Sequence, residues 1–232
     1  MEEFMTWWGK LAGPFGSGLV TSFKIFALTL LLALPLGLVV SLGEMARGKA
    51  GHPLILRAIS ALLRMICKLF VMIMRGTPLM LQLLFVYFAP FYLFGITSAY
   101  DRFTATVIAF VLNYSAYFAE IYRGGIESMA RGQYEAGEVL GFTRGQIFFR
   151  IILPQVIKRI LPPMSNEVIT LLKDTALVQV LGVADLLMAA NTAATNTLSV
   201  VPFVVAAVIY FVVNLVVERL FHLTERRLAY YR

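Results

Sequence analysis

The side chains best suited to chemistry in this chain cluster near residue 170. Counted as a helix, Asn166, Glu167, Thr170, Lys173 and Asp174 lie within about 120° of arc, and Val168, Ile169, Leu171 and Leu172 fill the rest. Carboxylates, an ammonium, an amide and a hydroxyl on one face can bind a small charged or zwitterionic solute. Ionisable groups within an apolar helix are costly and usually functional. Glu167 is expected to meet a cationic group, either an α-amino group or a basic side chain, while Lys173 and Asp174 hold the solute as it arrives. The plainer alternative is that these three pair with one another or with arginines for structure. A second, weaker stripe runs through Thr106, Asn113, Tyr117 and Glu120 within about 60°. Asn113 is expected to line the same path, and Glu120 to pair with Arg123 three residues on.

Bond-making chemistry has little to work with. His52 and His222 are the only histidines and lie far apart. The single cysteine, Cys67, has no Cys/His cluster around it and reads as a small buried apolar residue. No Gly-x-x-x-x-Gly-Lys-Ser/Thr phosphate loop is present. The expectation is therefore no catalytic residue, no metal ligand and no cofactor held by this chain.

The elements that position these residues are dictated by composition. Of 232 residues, 59% are hydrophobic and 14% charged, with mean hydropathy +0.80, against roughly 45–50% and about 25% in soluble domains. A soluble domain of this size cannot bury so much apolar surface. The formal charge of +7 sits beside apolar runs rather than in a free basic patch, so nucleic acid is not an expected partner; membrane lipid is. We expect an all-α integral membrane protein, one domain over residues 1–232, with about five spans near 19–42, 79–96, 103–121, 152–172 and 200–220. The fourth is expected to be broken by Pro154, Pro162 and Pro163. The acidic start and the long run from Ile25 to Leu42 argue against a cleaved signal peptide, and Trp7-Trp8 suit a headgroup-level anchor.

Orientation follows from the basic residues. With the N-terminus outside and the C-terminus cytoplasmic, all but Lys10, Lys24, Arg102 and Lys173 of the 20 lysines and arginines face the cytoplasm. The stretch 54–75 places Arg57, Arg64, Lys68 and Arg75 within about 40° of one another. It either lies in the interface as a one-sided basic helix or joins the 79–96 span as one long element broken at Gly76-Thr77-Pro78.

Between the third and fourth spans, residues 124–150 form the candidate coupling region. Gly124-Gly125 and Gly132 punctuate it, and Tyr134 to Phe142 can form a short helix. Ala136, Gly137 and Gly141 leave room for a partner, while Val139, Leu140 and Phe142 offer apolar contacts. A short helix tied to two spans is a lever, since a push on it moves both.

Glu135-Ala136-Gly137, Gly141, Ile151 and Leu153-Pro154 resemble the EAA signature of ABC importer permeases, which reads E-A-A, three residues, G, nine residues, I-x-L-P. Gly137 is the one departure, still a small residue. Arg75-Gly76-Thr77-Pro78-Leu79, Ala116 to Ile121 with Arg123 to Ile126, Gly132-Gln133 and Leu172-Lys173-Asp174-Thr175 are similar to the polar amino-acid branch of that family. The resemblance covers roughly residues 19–221. It implies a type I ABC importer permease core in the cytoplasmic (inner) membrane, multi-pass, paired with a second permease copy or a sibling chain. It also implies a nucleotide-binding ATPase subunit that binds ATP and Mg, an extracellular substrate-binding protein and an amino-acid substrate. By resemblance Glu135, Ala136, Gly137, Leu140 and Gly141 form the ATPase-coupling helix. The competing class is a secondary transporter or channel subunit, for which a broken fourth span is suggestive; it leaves the coupling signature unexplained.

Overall fold

Long apolar runs give long helices here. A computed structural model describes residues 2–46, 51, 53–96 and 100–228, with side chains from residue 12 to 227 within those ranges. The helices are α1 (Glu2–Met45), α2 (Leu54–Gly76), α3 (Leu79–Phe94), α4 (Arg102–Glu127), α5 (Arg131–Val139), α6 (Arg144–Ile147), α7 (Leu153–Asp174), α8 (Leu186–Thr197) and α9 (Val201–Leu228). A π-helical turn, Phe148–Ile152, joins α6 to α7, and a tight 3-10 segment, Thr175–Leu181, follows α7. No strand occurs among the described residues.

Among the described residues, three helical stretches are long and apolar enough to cross a bilayer: Ala12–Met45, Arg102–Glu127 and Val201–Arg227. A fourth candidate is the pair Arg144–Leu181 and Leu186–Thr197, bent by 56° at its break. α3 has 16 residues, a rise of about 24 Å, short of a hydrocarbon core of about 30 Å. α2 ends at Gly76 and α3 begins at Leu79, so the break expected at Gly76-Thr77-Pro78 is present. Arg47, Lys49, His52, Arg232 and the Trp7 and Trp8 side chains lie outside the described residues.

Two boundaries differ from expectation. The fourth span is not broken at Pro162 and Pro163, through which α7 continues, whereas Pro154 stands in the first turn of α7 directly after the π-helical turn. The rings of Pro162 and Pro163 are exposed, and the turns on either side are held by buried Val156 and Ser165. The irregularity falls at the two ends of α7 instead. Likewise Gly124-Gly125 do not end α4, which runs to Glu127. Gly125 lies so close to Ile160 that any β-carbon would collide with it, so this glycine serves helix packing rather than a turn.

The chain divides into two compact units. The first comprises Met1–Ala33, Thr77–Asn113 and Val168–Glu218. Its core joins Phe15, Leu186, Ala190, Ala193 and Ala206. Asp185 is fully buried there and caps α8, accepting from the amides of Leu187 at 3.2 Å and Met188 at 2.9 Å. The Ser22 hydroxyl accepts from the Leu186 amide at 3.4 Å, and the Tyr210 hydroxyl donates to Asp185 at 3.5 Å. These bonds tie the start of α8 to α1 and α9.

The second unit comprises Leu34–Gly76, Tyr114–Glu167 and Arg219–Arg232. Here α1 and α2 run antiparallel: Arg64 reaches Ala46, Cys67 meets Gly43, and Val40 packs against the cluster of Val71, Ala116 and Ala119. A separate core of Met129, Ile147, Ile152 and Val156 seats the short helices beneath α4 and α7.

Candidate functional site

The coupling region takes its shape from three local devices. α5 ends in a left-handed turn at Gly141, whose φ of +74° an L side chain rarely adopts. The Phe142 amide donates to the Gly137 carbonyl at 3.0 Å and the Gly141 amide to Glu138 at 2.9 Å. This closes the helix with the paired bonds of a Schellman motif. Thr143 then starts α6 with a reciprocal cap: its amide donates to Gln146 Oε1 at 2.9 Å and its hydroxyl accepts from the Gln146 amide at 3.4 Å.

These turns sort the segment into an inner and an outer face. Gly137 is buried, and a β-carbon there would stand 2.7 Å from Ile147 Cγ1. Phe142 packs on the Met129–Ile147–Ile152–Val156 core. Contrary to expectation, then, neither faces outward: the room at Gly137 is used by this chain's own Ile147, and Phe142 is an internal anchor. Glu135 and Ala136 are exposed, and Val139 and Leu140 stand 88% and 69% exposed. Two adjacent bare aliphatic side chains on a short helix are a small apolar knob. The lone ion pair on this helix, Arg131 to Glu135 at 3.8 Å, is too exposed to contribute more than a few tenths of a kcal/mol.

Above this segment lies a charge cluster that joins three helices. Arg123 on α4 bonds Glu120 at 2.5 Å and Glu127 at 2.6 Å. It also lies 3.7 Å from Glu44 on α1. Arg75 on α2 lies 3.5 Å from Glu120 and 5.4 Å above the Tyr117 ring. The expected Glu120–Arg123 pair is therefore real, but it is one edge of a larger network. Glu44 has a side chain only 4% exposed, and its Oε2 accepts no hydrogen bond. Arg159 extends the same region by donating to the Ser128 carbonyl at 2.6 Å.

The polar residues near 170 all sit on α7. Asn166, Thr170 and Lys173 are exposed, Glu167 and Asp174 half-buried, and Val168, Leu171 and Leu172 buried. The helical stripe is as expected; of the two directions open to such a stripe, the bundle interior or a water-filled path, it does not take the interior of this chain. The apolar side of α7 has taken that place, leaving the polar side uncovered. Asn113 is buried on α4 and donates to Gln82 Oε1 at 3.0 Å. Of the second stripe, Thr106 is spent on its own helix, bonding the Arg102 carbonyl at 2.8 Å. Asp185 and Glu44 escaped sequence reasoning, one hidden in an apolar stretch and the other at the end of a span.

Comparison with known proteins places this geometry. The family described as binding-protein-dependent transport system inner membrane component matches residues 50–230. The chain is 36% identical to the arginine transport system permease protein ArtQ of Bacillus subtilis (strain 168), over 91% of this chain and 90% of that one. It is 34% identical to the L-cystine transport system permease protein TcyB of the same organism, over 97% and 89%. Among solved structures, a crystal structure of an amino acid ABC transporter with histidines superposes with TM-score 0.81 at 36% identity, covering 94% of this chain and 95% of that one. An inward-facing structure of the MetNI methionine ABC transporter shares the fold at TM-score 0.68 and 17% identity, over 99% and 100%.

Proposed function

This chain belongs to the binding-protein-dependent transport system inner membrane component family, and on that premise we propose that it is the permease subunit of an ABC importer for a polar amino acid. The observation that carries the reading is the bare knob at Val139 and Leu140, on a helix whose inner face is locked to the rest of the chain. A separate ATPase subunit, which binds ATP and Mg, grips that knob. Glu135, Ala136 and Leu140 make the contact, while Gly137 and Gly141 shape the helix. Because α5 is rooted on a core shared with α4 and α7, displacement of the knob moves both helices.

The substrate class rests on the relatives, named for arginine, cystine and glutamine transport. The polar face of α7 suits a zwitterion. Glu167 meets the ammonium or a basic side chain, Lys173 and Asp174 receive the solute first, and Asn166, Thr170 and Asn113 contribute amide and hydroxyl contacts. That face is uncovered on the single chain, so a second permease copy or a sibling chain encloses the path. An extracellular substrate-binding protein delivers the solute. The basic residues favour an N-terminus outside and a cytoplasmic C-terminus.

Reconstitution into proteoliposomes with the ATPase and binding protein tests the assignment. Uptake of a labelled polar amino acid should require all three components. Glu167→Gln should reduce uptake at least tenfold, the factor for roughly 1.4 kcal/mol of lost substrate stabilisation, with basal ATP hydrolysis retained. Unchanged uptake in that variant removes Glu167 from the path; uptake without the ATPase removes the importer assignment.

A further inference from the structure

The basic face of α2 has work that amino-acid import does not assign. In the antiparallel pair, Arg64 donates to the Ala46 carbonyl from Nε at 2.9 Å and Nη2 at 2.7 Å. Register with α1 then advances through Cys67 at Gly43, with Val40 packed on the cluster that holds Val71. The turns before Arg64 therefore run past the end of α1, and Arg57 lies about 10 Å further along the helix. Between Leu54 and Gly76 there is no acidic residue. Among the described residues Arg57 forms neither an ion pair within 4.0 Å nor a side-chain hydrogen bond. A cleft of about 390 Å³ opens here, lined by Leu54, Arg57, Ala58, Ser60 and Arg64.

We propose that this cleft holds the phosphate headgroup of an anionic membrane phospholipid. Two guanidiniums on one wall suit a phosphate, since the planar fork can bond two of its oxygens. Arg64 is already held at a fixed position by Ala46, with Nη1 left over, and Arg57 is unengaged. The aliphatic side chains fit the rest of the lipid: Leu54, in the cleft wall, is 80% exposed, and Ile55 and Ile59, about 160° round the helix from Arg57, are bare on its opposite face at 73% and 56% exposed. A helix with arginines on one face and bare aliphatic groups on the other belongs at the boundary of headgroup and acyl chain, where each part finds its own solvent. An acidic protein surface would satisfy the arginines and leave Leu54, in the same wall, in water.

The test uses the full-length chain with its partner subunits, in nanodiscs of mixed phosphatidylglycerol and phosphatidylcholine. Native mass spectrometry reads the lipid that stays bound. Phosphatidylglycerol should be enriched on the unaltered chain, and Arg57→Gln should lower that enrichment about fivefold, the factor for ~1 kcal/mol per basic residue. Arg57→Gln with Arg64→Gln should abolish it, Arg57→Lys should keep most of it, and Arg226→Gln on α9 should leave it unchanged. Arg57→Gln breaks no bond within the fold, so its result stands even if the double variant misfolds. Equal enrichment with and without Arg57 overturns the proposal. So does a photocrosslinker at position 57 that captures a partner subunit instead of lipid, or competition by free inorganic phosphate at millimolar concentration.

Discussion

Gly43 and Cys67 meet where α1 packs against α2, and a β-carbon on Gly43 would collide with the cysteine sulfur. Overpacking of this kind typically costs about 1–3 kcal/mol. Gly43→Ala should lower the unfolding temperature of the purified protein, and combining it with Cys67→Ala should restore most of the loss. Independent, additive losses in the pair would contradict the contact. The cysteine reads in sequence as a small buried apolar residue and is only half-buried; its partner was not legible, because nothing local in a sequence says which glycine another helix will approach. The same limit explains Gly137. Its place in the coupling signature could be read directly, whereas its inward direction depends on Ile147, ten residues later. Gly141 was the more legible of the two, since a glycine just past a helical stretch is the ordinary sign of a left-handed cap.

At the scale of elements, the charge cluster at Arg123 fastens α1, α2 and α4 to one another close to the coupling segment. Removing one member of a buried pair is costly because the other is stranded, and Glu44, with its side chain 4% exposed, would be stranded by loss of Arg123. Arg123 itself is 28% exposed, so water offsets part of that loss. We expect Arg123→Gln to destabilise the chain by about 1–3 kcal/mol. Glu127→Gln, at a position 45% exposed, should cost no more than about 1 kcal/mol. Thermal unfolding of both variants checks the ranking, and equal losses would show that Glu44 does not depend on Arg123. Sequence spacing reached only the Glu120–Arg123 edge, which lies within one helix. Glu44 and Arg75 come from other helices, and pairing between helices has no period to read. Helix ends were misjudged for a related reason. Prolines at 162 and 163 and glycines at 124 and 125 are local breakers, yet tertiary packing holds the backbone helical through both pairs.

For the molecule as a whole, composition alone reached the membrane-embedded, all-helical architecture, since apolar runs of this length have few other outcomes. The polar stripe on α7 was equally legible as a stripe. Its direction was not, because one chain's surface and an assembly's interior look alike in sequence: both are polar faces opposite apolar ones. On the reading proposed above, an uncovered Asn166, Thr170 and Lys173 beside a buried Leu171 and Leu172 would be half of an enclosure. A working importer in this account needs a second permease for the other half and an ATPase to move it. The most direct measurement is site-directed crosslinking of the assembled transporter in a Cys67→Ala background, with single cysteines at Ala136 and Leu140. Both should form adducts with the ATPase subunit, while a cysteine at exposed Tyr92 on α3 should form none. If neither Ala136 nor Leu140 captures the ATPase, or if Tyr92 captures it as well as they do, α5 is not the coupling element and the account fails.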